Sequence, residues 1–324
     1  LNPVMGRKGK FEEFKGDSSE VIVDEALKFI KVQKEANKPS FTVIWYGSPH
    51  NPFWASKEDM KDFSSIHENG QKHHGEIVAM DRSVGTLRKG LRDLGIADNT
   101  IIWFNSDNGG LSTKEVGSDS VGGLRGNKGS MWEGGLRVPC IIEWPAKIKA
   151  RVTDYPSSTM DIMPTILDLL DLNKDNMNKL VDGDSIKALF DGEIGPRKKP
   201  IPFHYSQKTA ALIDNNYKII KHKLTGNKYE LYDLKADPKE SKNIFNETSG
   251  ISQKLKAQLD ELIASVANSI EGKDYPNGIV HERPTRKFWY EDSRYENYFS
   301  MLWLIPEYKK GQGKAEKFLK SQKK

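Results

Sequence analysis

The sequence of 324 residues contains one cysteine, Cys140. That excludes an internal disulfide and any metal cluster built on several thiolates. Cys140 lies within the apolar run Val138 to Trp144 and reads as a small buried apolar side chain. Low cysteine usage does not by itself fix a compartment. Long apolar runs are missing too. The longest, such as Phe41 to Tyr46, are strand-sized, far short of the roughly 20 residues that span a bilayer. No membrane partner is therefore expected. Charge of one sign is scarce: 50 basic residues face 45 acidic ones, for a net +5. Much of that surplus sits in the tail, where Lys309, Lys310, Lys314, Lys317, Lys320, Lys323 and Lys324 face only Glu307 and Glu316. This reads as a solvated tail, and no nucleic-acid partner is expected. The front of the chain shows no signal-peptide pattern. It opens on Leu1, and Met5 sits among Arg7, Lys8 and Lys10 with no apolar segment behind it. It reads as the interior of a longer protein.

The hydrophobic fraction of 36% and charged fraction of 29% describe a polar surface around a sizeable core, enough for one large domain or two smaller ones. Residues 1–19 show no clear period and are expected to be a surface loop. From Glu20, the residues Val21, Ile22, Ala26, Leu27, Phe29 and Ile30 recur near helical spacing, and Pro39 marks the stop. Phe41 to Tyr46 reads as a buried strand running into Gly47-Ser48-Pro49-His50-Asn51-Pro52. A second helix is predicted from the stripe Ile77, Met80, Val84, Leu87, Leu91, Leu94, stopped by Gly95. His73 and His74 are expected to precede it, and Asp81 and Arg82 to be structural or solvent-facing.

The richest stretch runs from Thr100 to Pro145. Ile101-Ile102-Trp103-Phe104 stops at Asn105-Ser106-Asp107-Asn108-Gly109-Gly110, and the second apolar run is Val138 to Trp144. Such short runs, bounded by turn residues, predict strands buried on both faces. A carboxylate beside a side-chain amide supplies hard oxygen ligands suited to Ca²⁺ or Mg²⁺. Lys128, between Gly126 and Gly129, sets a compact ammonium where backbone can approach an oxyanion. Asp-Asn-Gly is also a common turn signal, and a lone lysine is usually solvated; spacing alone leaves both readings open.

The strings Asp98-Asn99-Thr100-Ile101-Ile102-Trp103-Phe104-Asn105-Ser106-Asp107-Asn108-Gly109 and Leu124-Arg125-Gly126-Asn127-Lys128-Gly129-Ser130-Met131-Trp132-Glu133-Gly134-Gly135-Leu136-Arg137-Val138-Pro139 resemble the type I sulfatase family of the alkaline phosphatase superfamily. The resemblance implies that Asp107 and Asn108 ligate one Ca²⁺ and that Lys128 contacts the sulfate of a substrate. It implies that His50, in its Pro-His-x-Pro loop, contacts the sulfate and protonates the leaving alcohol, which suits an imidazole titrating near neutrality. Ser158-Thr159-Met160-Asp161, with Pro164 in the first turn and Ile166, Leu169 and Leu170 as buried face, and Val181-Asp182-Gly183-Asp184-Ser185 resemble family architecture without chemistry. His204 falls in a region that often borders the family's substrate pocket. A sulfated carbohydrate or other sulfate ester is the implied partner, and the periplasm or extracellular space the implied location.

The implied fold is α/β: a mixed, largely parallel sheet flanked by helices, then a small antiparallel sheet. For the latter, Pro202–Tyr205, Ala210–Ile213, Tyr217–His222 and Tyr229–Leu234 alternate with turn signals. A helix follows with Ile251, Leu255, Leu259, Leu262 and Val266 on one face. The expected domains are 1–195 (catalytic α/β), 196–285 (C-terminal subdomain) and 286–324 (aromatic, then Lys-rich tail). The tail aromatics, among them Tyr290, Tyr295, Phe299 and Trp303, read as packing across their own domain rather than as a sugar platform. The family's Cys-x-Pro-x-Arg or Ser-x-Pro-x-Arg nucleophile motif, source of its formylglycine, does not occur, nor does its first aspartate pair. The remaining Ca²⁺ ligands are expected upstream, and these residues alone are expected to be inactive. Two other readings stand beside this one, a phosphatase or phosphodiesterase of the same superfamily and a non-catalytic sulfated-glycan-binding relative.

Overall fold

The computed structural model describes residues 2–8, 10–111, 118–173, 181–206, 208–275, 288–304, 306–309 and 311–322. The chain forms two compact units, Leu1–Ile96 with His281–Lys324, and Ala97–Val280.

The first unit opens with a hairpin, not a plain loop: β1 (Val4–Arg7) pairs antiparallel with β2 (Lys10–Glu13). Strands of four residues, rich in charge, carry too little alternation to be read in sequence. Helix α1 (Ser18–Glu35) starts where the Asp17 carboxylate accepts the Ser19 N–H at 2.8 Å, the usual N-cap arrangement. A short α2 (Lys57–Met60) precedes α3 (Glu68–Asp93), which packs on α1. Its buried face is Ala79, Ser83, Leu87 and Leu91, rotated from the predicted stripe; Ile77 stays exposed. Small side chains let the helices approach closely. Gly90 shows how closely, because a Cβ there would lie 2.6 Å from Leu27 Cδ2. His73 and His74 lie inside α3 rather than before it. Arg82 is structural: it donates to Asp59 and Glu20 at 2.7 Å each.

Phe41 to Tyr46 forms no strand and pairs with none among the described residues. Phe41, Val43 and Trp45, on alternate positions, are 66%, 56% and 83% exposed. The buried strand expected here is therefore corrected to a run without strand pairing, exposed on alternate side chains.

In the second unit, β3 (Ile102–Asn105) leads through the short α4 (Glu133–Leu136) to β4 (Cys140–Glu143). The two strands pair antiparallel, with Asn105 opposite Cys140. They are not buried on both faces. Trp103 and Ile142 pack against Ile186, Leu189 and Phe190, whereas Ile141 is 62% exposed and Cys140, expected inside, is exposed as well. A single two-stranded ribbon covers only one of its faces. Next, Ser158 and Asp161 form the expected capping box ahead of α5 (Ile162–Leu169). The buried residues of α5 are Pro164, Thr165 and Leu167, while Leu170, just past its end, is exposed. The stretch 192–202 lies within this unit.

The four-stranded sheet follows the sequence pattern closely. Strands β5 (Ile201–Tyr205), β6 (Thr209–Asp214), β7 (Tyr217–Lys221) and β8 (Glu230–Asp233) pair antiparallel in order. Side chains alternate between faces, as strand geometry requires. Ala210, Leu212, Ile219 and Leu231 pack on Leu255 and Leu259 of α6 (Gly250–Ile270). Ala211, Ile220 and Tyr232 face the other way, onto Met131, Trp132 and Leu136. The sheet thus carries the segment containing Lys128 on its second face. Every strand pair among the described residues is antiparallel. The α/β class and the small antiparallel sheet are as expected, while the parallel pairs are not found among those residues.

The tail returns to the first unit as α7 (Phe299–Leu302), α8 (Pro306–Lys309) and α9 (Gln312–Gln322). Tyr290, Phe299 and Ala315 form its core with Tyr295, Trp303 and Leu319. The Phe11 ring of β2 sits 4.9 Å from both Tyr295 and Tyr298. These aromatics supply apolar packing area, as read from the sequence.

Candidate functional site

Asp107 and Asn108 occupy the turn at the end of β3. Asp107 is exposed, Asn108 half-buried and Gly109 buried. The Ser106 hydroxyl donates to Asn108 O at 3.0 Å, and the Asn108 amide donates to Asp107 Oδ1 at 2.8 Å. The pair is thus held together on one turn, amide against carboxylate. Gly109 is required by close approach: a Cβ there would collide with the carbonyl of Gly134.

Two backbone hydrogen bonds bring Lys128 to this turn. Lys128 N–H donates to Gly110 O at 2.9 Å, and Gly109 N–H donates to Gly135 O at 3.0 Å. Residues 110 and 128, far apart in sequence, are therefore adjacent, and Lys128 itself is exposed. Gly126 and Gly129, on either side of it, adopt φ of +75° and +86°, the left-handed region that favours glycine.

The segment 125–136 is anchored from below by groups that sequence reading missed. Trp132 Nε1 donates to Glu230 Oε2 at 3.3 Å, and Tyr232 OH donates to the same oxygen at 2.8 Å. His222 Nε2 lies 2.9 Å from it. Burial pushes the Glu230 carboxyl up, but the His222, Tyr232 and Trp132 donors outweigh it and hold it below its ordinary value. Tyr232 is pushed up to about 12 by burial and the Glu230 carboxylate. The Arg125 guanidinium stacks 4.3 Å over Trp132 and donates to Tyr232 OH at 2.9 Å. Lys218, 0% exposed, donates to Glu133 Oε1 at 2.8 Å. The one sequence signal for it was a lysine in mid-strand, Tyr217-Lys218-Ile219, where the alternation asks for an apolar residue.

His50 belongs to the first unit, in a turn where its N–H donates to Gly47 O at 3.0 Å. Its Nδ1 sits 2.7 Å from Asn51 O. A carbonyl only accepts, so Nδ1 carries a proton and Nε2 is the nitrogen left for other work. His204 stands opposite Ala210 on β5, hence on the α6 face of the sheet rather than the face under the Lys128 segment. Among the described residues no group of three or more His, Cys, Asp or Glu side chains is placed to hold a metal. The oxygens of Asp107 and Asn108 fit a hard cation such as Ca²⁺, but as two members of a set that normally numbers about six to eight.

Comparison with known proteins places these features in context. Residues 3–172 match the family model described as Sulfatase, and residues 126–266 match the model described as N-sulphoglucosamine sulphohydrolase, C-terminal. Human steryl-sulfatase is 35% identical over 188 residues, 56% of this chain and 31% of that protein. The dog N-acetylgalactosamine-6-sulfatase is 33% identical over 207 residues, 62% of this chain and 37% of that protein. The chain thus spans about a third of the length of the curated relatives it matches. The crystal structure of Ps i-CgsB superposes with a TM-score of 0.70 at 27% identity, over 79% of this chain and 57% of that one. The same protein has also been solved in complex with k-i-k-neocarrahexaose.

Proposed function

The chain belongs to the sulfatase family, and from that premise we propose that it forms the ion-binding and sulfate-binding portion of a sulfuric ester hydrolase acting on a sulfated carbohydrate. The observation that carries the reading is the pair of backbone bonds, Lys128 to Gly110 and Gly109 to Gly135, which join the lysine segment to the Asp107–Asn108 turn.

In this proposal Asp107 and Asn108 give oxygen ligands to one Ca²⁺, whose charge, when it is bound, offsets that of the sulfate. The Lys128 ammonium pairs with a sulfate oxygen, an interaction that strengthens as charge develops on the transferring group. His50 enters on its sequence match: with Nδ1 fixed on Asn51 O, protonated Nε2 gives its proton to the leaving alcohol. His204 is kept as an outlying substrate contact only. The carbohydrate substrate is supported by the N-acetylgalactosamine-6-sulfatases and by the oligosaccharide complex of Ps i-CgsB. A periplasmic or extracellular location accompanies the family reading. No helix among the described residues is long and apolar enough to cross a membrane.

The test is calorimetric titration of CaCl₂ into the purified 324-residue chain, then of N-acetylgalactosamine 6-sulfate. With two ligands, Ca²⁺ should bind weakly, on the order of 10⁻⁴–10⁻³ M or poorer. Asp107→Ala should abolish that binding, and Lys128→Ala should remove the sugar sulfate response while sparing Ca²⁺. Equal binding by wild type and both variants would refute the assignment. The chain alone is proposed to be inactive, so turnover of an aryl sulfate without any added partner would overturn that part.

A further inference from the structure

Glu240 lies in the turn after β8 and is completely buried. It is also one of few non-glycine residues with positive φ, at +53°. A left-handed backbone and a buried carboxylate are each unfavourable, and such a residue persists where its surroundings over-determine it. The surroundings are specific. Glu240 Oε2 accepts the Glu133 N–H at 2.6 Å. Glu240 O accepts from Arg125 Nη1 at 2.8 Å. Glu240 Oε1 faces Lys218 Nζ at 2.6 Å, and the same ammonium reaches Glu133 Oε1 at 2.8 Å.

Residues 125 and 133 are the two feet of the loop that carries Lys128. One residue holds both feet: its carbonyl the first, its carboxylate the second. Gly134 N–H closes the loop on Arg125 O at 2.8 Å. From that closed base the Lys128 N–H reaches Gly110, and Gly135 O receives the Gly109 N–H. The chain of contacts from Glu240 to the Asp107–Asn108 turn is therefore continuous. Lys218 is the buried counter-charge that makes the clamp tolerable.

We propose that Glu240 is the positioning residue for Lys128, clamping both feet of its loop so that the ammonium is presented to an oxyanion beside the Asp107–Asn108 turn. The oxyanion part rests on the sulfate reading given above; the clamp does not. Glu240 touches no substrate and acts through the loop. The C-terminal sheet then has a duty beyond packing, as the bed on which the loop's shape is set.

The test combines amide hydrogen exchange with titration of inorganic sulfate, using the purified chain in the presence of CaCl₂. Glu240→Ala keeps the main-chain carbonyl that holds Arg125 but loses the carboxylate's bond to Glu133 N–H, and should speed exchange at Lys128 and Gly109 by about tenfold, while β6 and β7 keep their protection. Sulfate affinity should fall to that of Lys128→Ala. Glu240→Gln keeps the acceptor for Glu133 N–H and should restore both readouts, which a general loss of folding would not allow. Arg125→Ala removes the tie to Glu240 O, together with that side chain's contacts to Tyr232 and Trp132, without stranding a buried charge. It should give an intermediate effect, and it serves if Glu240→Ala fails to fold. Unchanged Lys128 exchange in both Glu240→Ala and Arg125→Ala would overturn the proposal, as would sulfate loss with the Lys128 amide still protected. If sulfate binds wild type and Lys128→Ala alike while Glu240→Ala still frees the loop, the clamp stands and the sulfate reading falls.

Discussion

Arg197 grips Asp161 through two hydrogen bonds, Nη1 to Oδ2 at 2.8 Å and Nη2 to Oδ1 at 2.7 Å, with both side chains sealed from water. The same carboxylate accepts the backbone N–H groups of Ser158 and Asp184 at 2.8 Å each. One buried acid therefore joins the cap of α5 to the turn after Asp182 and to the approach to β5. Removing either partner leaves an uncompensated buried charge, so Asp161→Ala and Arg197→Met should each cost about 3–5 kcal/mol of unfolding free energy. An Asp161→Leu, Arg197→Met pair should cost clearly less than the sum of its singles. Urea unfolding measures all of them, and single losses below about 1 kcal/mol would contradict the pairing.

Acid sensitivity should trace in part to Asp59. Its carboxylate accepts from Arg82 Nη1 at 2.7 Å and from the Ser56 hydroxyl at 2.7 Å. The Arg82 guanidinium holds it below the ordinary 3.8, against the opposing effect of burial. A carboxyl depressed in the native state stabilises the fold fully above its unfolded value, and that contribution is lost as pH falls through the native value. Asp59→Asn should lower stability at pH 7 and flatten the stability-versus-pH curve below about pH 4. Parallel curves for variant and wild type would disprove the link.

Gly109→Ala tests the close approach of the candidate turn to Gly134. The clash is with backbone, which cannot rotate away, so a loss of about 1–3 kcal/mol is expected, along with faster exchange of the Lys128 amide. Gly192 has open space around its Cβ position, and Gly192→Ala should stay within about 0.5 kcal/mol. Thermal unfolding of the two variants decides; similar behaviour would mean the turn is loosely held.

Leu255 sits wholly buried between α6 and the four-stranded sheet. Leu255→Ala should cost about 2–5 kcal/mol through lost transfer energy and the cavity it leaves. Because the Lys128 segment packs on the opposite face of that sheet, the variant should leave sulfate binding unchanged under conditions where it remains folded.

The sequence revealed most where a single period decides the structure. The four strands of the sheet were placed within a residue or two, because the apolar runs of β6 and β7, covered on both faces, are bounded by turn residues; α6 was read by its apolar face, from Ile251 to Val266. The Asp107–Asn108 turn and Lys128 were legible as candidates because glycines bracket them. Their adjacency was not, since it depends on two backbone bonds between residues far apart in the chain. The buried face of α3 was legible at Leu87 and Leu91 but misread nearer its start, because Ala79 and Ser83 win by size, not by hydrophobicity. Cys140 was misplaced inside because an apolar run does not say which of its faces is covered. Glu240 was invisible: nothing in Asp237-Pro238-Lys239-Glu240 announces that a charged residue will be fully enclosed.

The uncovered run from Phe41 to Tyr46 has a consequence for handling the protein. The exposed side chains of Phe41, Val43 and Trp45 form a sticky, uncharged stripe, a feature that seeds intermolecular β-stacking. Concentrated stocks of this chain should cloud on standing, beginning at this segment. A single charge at position 43, as in Val43→Lys, should act as a gatekeeper and prolong clarity in a light-scattering time course, without touching the loop that holds Lys128.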